Sequence, residues 1–294
     1  MLAAILLCAS APAPLHVEGS KLIEDGREVI LRGVDVPSLE SSSEGDHVFR
    51  SCRVALEDWH ANCVRLPLSQ DQWFAKIPGP KKKVADYRNQ VMDTVTYVTH
   101  SDGYVVLDLE SSDAGQWAKN LGPHNMPDAN SENFWKDVAH AYRGNPRVLF
   151  ELYGPTHDVE AKTWLEGGPV TEGDLSYKAV GMSKLLEDVR KAGAKNVVVV
   201  RSVDGASLPD PSGNGVVHDV RSPEENPSQP RILTALAPGA KSQADHLFHQ
   251  IKAQNLSWIA QNLRPKAEDS LITDWTYALT PIWGERVKRE LAGN

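Results

Sequence analysis

VLFELYGPTHDV, residues 148–159, reads as a buried strand that runs into a polar loop. Val148, Leu149 and Phe150 are strand-prone and apolar. Glu151 stands among them, and Gly154-Pro155 ends the run, since proline cannot donate to a sheet ladder. A strand of a parallel barrel delivers its chemistry at this kind of junction. Here the junction holds Gly154, Pro155 and Thr156, none of which can ionise.

Seven further runs share the character of this one. They cover 28–36, 62–68, 104–110, 196–203, 215–221, 231–237 and 256–262, and the run around Val148 extends over 147–153. Several are near-continuous Val, Ile and Leu, as expected of parallel strands covered on both faces. Amphipathic stretches lie between most of them. Val84, Tyr87, Val91, Val95 and Val98 recur at helical spacing over 84–100. Further helices are predicted over 131–143 with Ser131 as N-cap, over 176–193 ending at Gly193, and over 241–254 and 282–292. Eight strands alternating with helices define an α/β fold, a (β/α)8 TIM barrel. An open doubly wound sheet would call for a glycine-rich phosphate loop after a strand, and none occurs. Asp25-Gly26 between alternating runs predicts an N-terminal β-hairpin with a type I′ turn. The linkers 205–215 and 222–230 carry two and three prolines. Helices should therefore be reduced or missing after strands 5 and 6.

The chain has 294 residues and a net charge of −8. Without a basic excess, nucleic acid and anionic membranes are not expected partners. No apolar run is long enough to span a bilayer. Residues 1–14 read as a signal segment, a short apolar stretch followed by Ala9-Ser10-Ala11, leaving 15–294 as one domain. Secretion or a place in the cell envelope follows as the expectation, with the cytoplasm as alternative. Cys52 and Cys63 are expected to stay as buried thiols, because a helix separates them by more than the ~7 Å span of a disulfide. His124 and His157 stand alone in loops, and no metal or cofactor is expected.

Side chains two apart share a strand face. The strand ends then place Asp35, Arg65, Asp108, Glu110, Glu151, Asp204, Asp219, Arg221, Gln261 and Asn262 at the barrel mouth, with Arg264 just beyond. Such a mixed-sign set is either a salt-bridge network that plugs the barrel or the lining of a ligand site.

Four stretches, 15–40, 62–74, 122–153 and 270–291, resemble glycoside hydrolase family 5, the cellulase and β-mannanase family of retaining barrels. The resemblance spans nearly the whole chain from Leu15. It implies one carboxylic acid that protonates the leaving oxygen and a second carboxylate that attacks the sugar, ~5 Å apart. In the family the fourth strand ends Asn-Glu-Pro; here Gly154-Pro155-Thr156 match it, and Pro155 takes the acid/base position. The seventh strand carries the nucleophile; here Thr234-Ala235-Leu236 match, and Ala235 takes its place. Glu110 stands where the family has a histidine, Arg221 and Pro223 where it has His and Tyr, and Gln261 where it has a sugar-stacking Trp. Ser41 and Gly205 replace further tryptophans, while Arg65 is retained.

The resemblance therefore implies a barrel without its hydrolytic pair, a pseudoenzyme acting as a carbohydrate-binding or interaction module. The alternative is an active enzyme on a β-linked polysaccharide that uses another acid, such as Glu110. Candidate ligand-binding residues are Arg65, Asp108, Glu110, Trp117, His124, Asp204, Arg221 and Gln261, with an oligo- or polysaccharide as partner. Trp73 and Trp164 are further loop aromatics, whereas Trp275 is assigned to the core. Arg221 and Arg264 could grip a uronate carboxylate. Self-association is expected on the side where helices are missing.

Overall fold

The structure, a computed structural model, describes residues 14–77, 84–213, 215–225, 228–237, 241–267 and 269–293. Three short strands, β1 (His16–Glu18), β2 (Lys21–Glu24) and β3 (Arg27–Val29), form an antiparallel sheet. Asp25 and Gly26 link β2 and β3 with φ of 51° and 71°, the positive pair that a type I′ turn needs. The barrel follows with β4 (Arg32–Asp35), β5 (Cys63–Ser69), β6 (Tyr104–Ser111) and β7 (Val148–Glu151). After an inserted hairpin of β8 (Gly167–Glu172) and β9 (Leu175–Val180), it continues with β10 (Val198–Arg201), β11 (Val216–Asp219), β12 (Arg231–Leu236) and β13 (Ser257–Ala260). The eight barrel strands are all parallel, and β13 pairs with β4 to close the ring.

The helices are α1 (Val48–Arg53), α2 (Gln70–Trp73), α3 (Val84–His100), α4 (Ala129–Tyr142), α5 (Ala161–Glu166), α6 (Met182–Lys191), α7 (Lys241–Ala253) and α8 (Trp283–Ala292). Among the described residues no helix lies between β10 and β11 or between β11 and β12, as the prolines predict. The first linker is fastened instead by Arg190, whose guanidinium holds Asp210 at 2.6 Å and the carbonyls of Ala194 and Asn196, while Leu208 is buried beneath it. Among the described residues the exposed large apolar side chains, Phe49, Met92, Leu121 and Ile282, lie on other elements.

Three local expectations are corrected. The run 28–36 is two strands: its start belongs to the antiparallel sheet and its end to the barrel. The predicted helix 176–193 begins only at Met182, because 175–180 alternates buried and exposed residues as a strand does. Gly193 does sit at positive φ past the helix end. The N-cap of α4 is Asp128: its carboxylate accepts from the Asn130 N–H at 2.7 Å, and its own N–H donates to Ser131 Oγ at 3.1 Å. Ser131 is thus the returning half of a capping box, three residues inside.

Alternation along the strands stratifies the barrel interior. Its lower layer is apolar: Leu31, Cys63, Tyr104, Val106, Leu149, Val199, Val217, Ile232 and Ile259 pack together, closed from below by Leu15 and Leu22 of the N-terminal sheet region. Further along the strands the same inward face carries Asp35, Arg65, Asp108, Glu151, Arg201, Asp219 and Thr234, all but Arg201 buried. Cys52 and Cys63 are free and buried. All but the last residue of the expected signal segment 1–14 falls on residues 1–13, outside the described residues. Among the described residues no helix is long and apolar enough to cross a membrane.

Candidate functional site

Arg65 is the centre of the barrel mouth. From β5 its guanidinium donates through Nε to Glu151 Oε2 at 2.7 Å and through Nη1 to Asp35 Oδ1 at 2.9 Å. Nη2 donates to Glu110 Oε2 at 3.0 Å and lies 2.9 Å from Asp108 Oδ2. Four carboxylates from β4, β6 and β7 thus surround one cation that is itself 4% exposed. Beside them Arg201 pairs with Asp219 at 2.6 Å, and Asp219 accepts from the Thr234 N–H at 2.9 Å.

Two guanidinium charges cannot offset five carboxylates away from water, so protons are retained. Burial pushes Asp35 up to about 7 against the pull of Arg65. Burial, with Glu151 and Glu110 adding, holds Asp108 well above the carboxylate range. Burial also raises Glu151. Glu110 goes the other way: the upward push of burial is outweighed by Arg65 and by the hydrogen bond with Asp108, so it stays ionised. Its side chain, 28% exposed, is the part of the cluster that reaches solvent.

The end of β7 fits this cluster closely. The Gly154 N–H donates to Asp108 Oδ1 at 2.9 Å. A Cβ at this position would fall 2.3 Å from Arg65 Nη2, 2.7 Å from Asp108 Oδ1 and 2.9 Å from Glu110 Oε2. Any side chain here would collide with the guanidinium, so the absence of one is a condition of the packing. Pro155 follows half-buried and offers only its carbonyl, which accepts from His157 Nδ1 at 2.6 Å. Ala235 lies within β12, and its side chain is outside the described residues.

Of the sequence-predicted site residues, Arg65, Asp108 and Glu110 come together. The others do not join them. Arg221 is exposed, with its backbone N–H on Glu225, and the position beside the cluster belongs to Arg201. Asp204 is exposed in a turn at φ 49°. Gln261 is half-buried past β13; its carbonyl accepts from Trp283 Nε1 at 2.7 Å, and its bond to Asn262 is cis. His124 is not a solvated loop residue: it is buried, 2.9 Å from Glu172 Oε2, and ties the β8–β9 hairpin to the loop after β6. Burial pushes Glu172 up, but hydrogen bonds from His124, Tyr177 and the Asn125 N–H hold it below the usual range.

Trp73 and Trp164 are core residues, 3% and 0% exposed. Trp275, assigned to the core, is instead half-buried, stacked on His47 at 4.5 Å, and lines a cavity of about 370 Å³ with Arg264. Arg264 lines this cavity, and Arg221 is not among its lining residues. Trp117 lies outside the mouth, edge-on to Phe74 at 5.5 Å. Arg201 was legible in principle: it is two residues beyond Val199 on the inward face of VVVVR, yet its position depends on where the strand stops. Among the described residues no group of His, Cys, Asp and Glu is arranged to hold a metal.

A second polar knot fixes the loops beside the mouth. Gln70 donates to Asp113 and Asp128 at 3.1 Å, and Asp71 accepts from the Ala118 N–H at 2.8 Å. Burial with the neighbouring Asp128 and Asp71 pushes Asp113 up to about 7. These bonds staple the loops after β5 and β6 to the start of α4.

The fold is shared with a β-glucanase from Saccharophagus degradans solved with cellotetraose, at TM-score 0.69 and 16% identity, over 95% of this chain and 93% of that one. It is similar also to the catalytic domain of a mannanase from Streptomyces sp. SirexAA-E, at TM-score 0.68 and 16% identity, over 98% of this chain and 93% of that one. The catalytic domain of the major endoglucanase from Xanthomonas campestris pv. campestris matches at TM-score 0.69 and 14% identity, over 95% of this chain and 100% of that one. At these identities the likenesses establish the fold alone. The cellulase model, glycosyl hydrolase family 5, matches residues 23–272, and the chain belongs to that family.

Proposed function

We propose that this protein is a family 5 barrel that binds carbohydrate without cleaving it by the retaining mechanism. One observation carries the reading: at the mouth Arg65 and four carboxylates are bound to one another. A retaining site needs two carboxyl groups ~5 Å apart on either side of a glycosidic bond, one of them protonated and poised. Asp108 and Glu110 are close, but they stand two apart on one strand and share a cation. Asp108, its carboxyl pushed upward by burial, is closed off from solvent, and Glu110 is ion-paired with Arg65, which blunts it as a nucleophile. Pro155, at the position matched to the family acid/base, has no proton to give, and Ala235 is matched to the nucleophile. The glucanase and mannanase folds above make glycans the first ligand class to examine.

A second reading, an enzyme working through Glu110, draws on the solvent access of that carboxylate. One experiment separates the two. The purified chain is incubated with β-glucans, mannans and aryl glycosides, and the same glycans are offered in affinity gels. Retardation without product release is the expected result. Turnover that disappears in Glu110→Gln would overturn the proposal in favour of the second reading.

A further inference from the structure

Outside the barrel mouth, a groove of about 700 Å³ runs down the wall between α4, α6 and the loops after β5 and β6. Phe74 and Trp117 form its upper ledge, with the rings edge to face at 5.5 Å. Its floor is a stripe of α4, where Asn133, Lys136, Asp137 and His140 recur at helical spacing, and Arg143 continues the stripe below. From Asn133 to Arg143 that stripe is ~15 Å long at 1.5 Å per residue, the reach of a short oligosaccharide rather than of one sugar.

The charge along the groove is cationic in a chain of net charge −8. Its acids are already engaged. Asp137 is held by Arg88 at 2.6 Å and by the Trp73 indole N–H at 3.0 Å. Asp188 is held by Lys184 and Lys136, Glu132 by the same two lysines, and Glu187 by Lys191 at 2.7 Å. Two cations remain, one near each end, without a carboxylate in ion-pair distance among the described residues. Lys76 holds its exposed ammonium 5.4 Å from the centre of the Trp117 ring. Arg143 makes its bonds to His140 and the Ala192 carbonyl. Engaged acids, two open cations and an indole ledge match a ligand with apolar ring faces and repeated negative charge.

We propose that this groove binds a uronate-bearing polysaccharide, with pyranose faces on Trp117 and carboxylates on Lys76 and Arg143. The inference rests on the carbohydrate-binding reading and places its ligand on the outer wall instead of the mouth. Lys76 is the mobile element: a ligand carboxylate draws the ammonium off the indole, and a sugar face takes its place. The cation–π contact given up is weak at an exposed site.

Isothermal titration of the full chain with hexagalacturonate, cellohexaose and a heparin-derived hexasaccharide tests this. Hexagalacturonate should bind best and weaken with added salt. Trp117→Ala and Lys76→Glu should each weaken it about tenfold, and Trp117→Phe should keep it within about threefold. Lys76 is exposed, so its variant folds even if Trp117→Ala does not. Equal affinity for cellohexaose, tighter binding of the sulfated glycan, or indifference to both variants would overturn the assignment. Binding of cellohexaose alone, unaffected by Lys76→Glu, would sink the groove and leave the carbohydrate-binding reading standing. Glycan turnover with groove binding intact would do the reverse.

Discussion

Replacing Arg65 with Met removes the cation that four carboxyl groups share while keeping a long apolar side chain. Breaking a buried ion pair from one side costs about 3–5 kcal/mol, because the partner is left buried and unpaired. Here four partners are left, three of them 0–2% exposed. They relieve the strain by taking up protons, so the cost depends on pH. With the guanidinium gone, the folded-state values of all four rise, including that of Glu110, which Arg65 now holds down. A carboxyl raised in the folded state contributes stability that is full below its unfolded value of ~4 and lost as pH climbs through the folded value. The deficit of the variant therefore grows from acid to neutral pH. At neutral pH a loss of this size lowers the melting temperature by roughly 5–8 °C in a chain of this length. The wild type should show the same sign in weaker form: Asp35, raised to about 7, sheds its contribution between ~4 and about 7, with Asp108 and Glu151 in the same direction. Thermal melts of both proteins between about pH 5 and 8 provide the assay. A variant that melts within about 2 °C of wild type at neutral pH, or a deficit equal at both ends of the range, would refute the cluster as a single charge-sharing unit.

Gly154→Ala should cost about 1–3 kcal/mol through overpacking, since its Cβ would arrive 2.3 Å from Arg65 Nη2; a neutral melt would mean that the mouth is looser than this geometry. Cys52, whose thiol burial pushes up to about 12, and Cys63, raised by burial as well, should stay unmodified by iodoacetamide in the native protein and react in denaturant, as read by peptide mass. Labelling of either in the native state would contradict their burial.

The order of elements was written in the sequence because it depends on local patterns. Runs such as RVLFELY can be buried only as strands covered on both faces, Asp25-Gly26 can take the positive φ pair, and the prolines of 205–215 and 222–230 exclude helices. Each of these is settled within about ten residues of chain. The β8–β9 hairpin was missed because its Tyr177 and Ala179 alternation is short and merges into the helical pattern of α6. The charged residues of the mouth were legible too, since alternation gives the inward face of each strand. Which of them meet was not. Arg201 rather than Arg221 joins the cluster because β10 and β11 pair Arg201 with Asp219 in register. Arg65 reaches four acids because β4, β5, β6 and β7 are adjacent in a closed ring. Gly154 matters because a guanidinium from a strand two places away fills the space where its side chain would be. Periodicity is a property of neighbours along the chain, so the sequence carries it. Ion pairing, proton retention and the groove on α4 join residues tens of positions apart, and only closure of the barrel sets the distances between them.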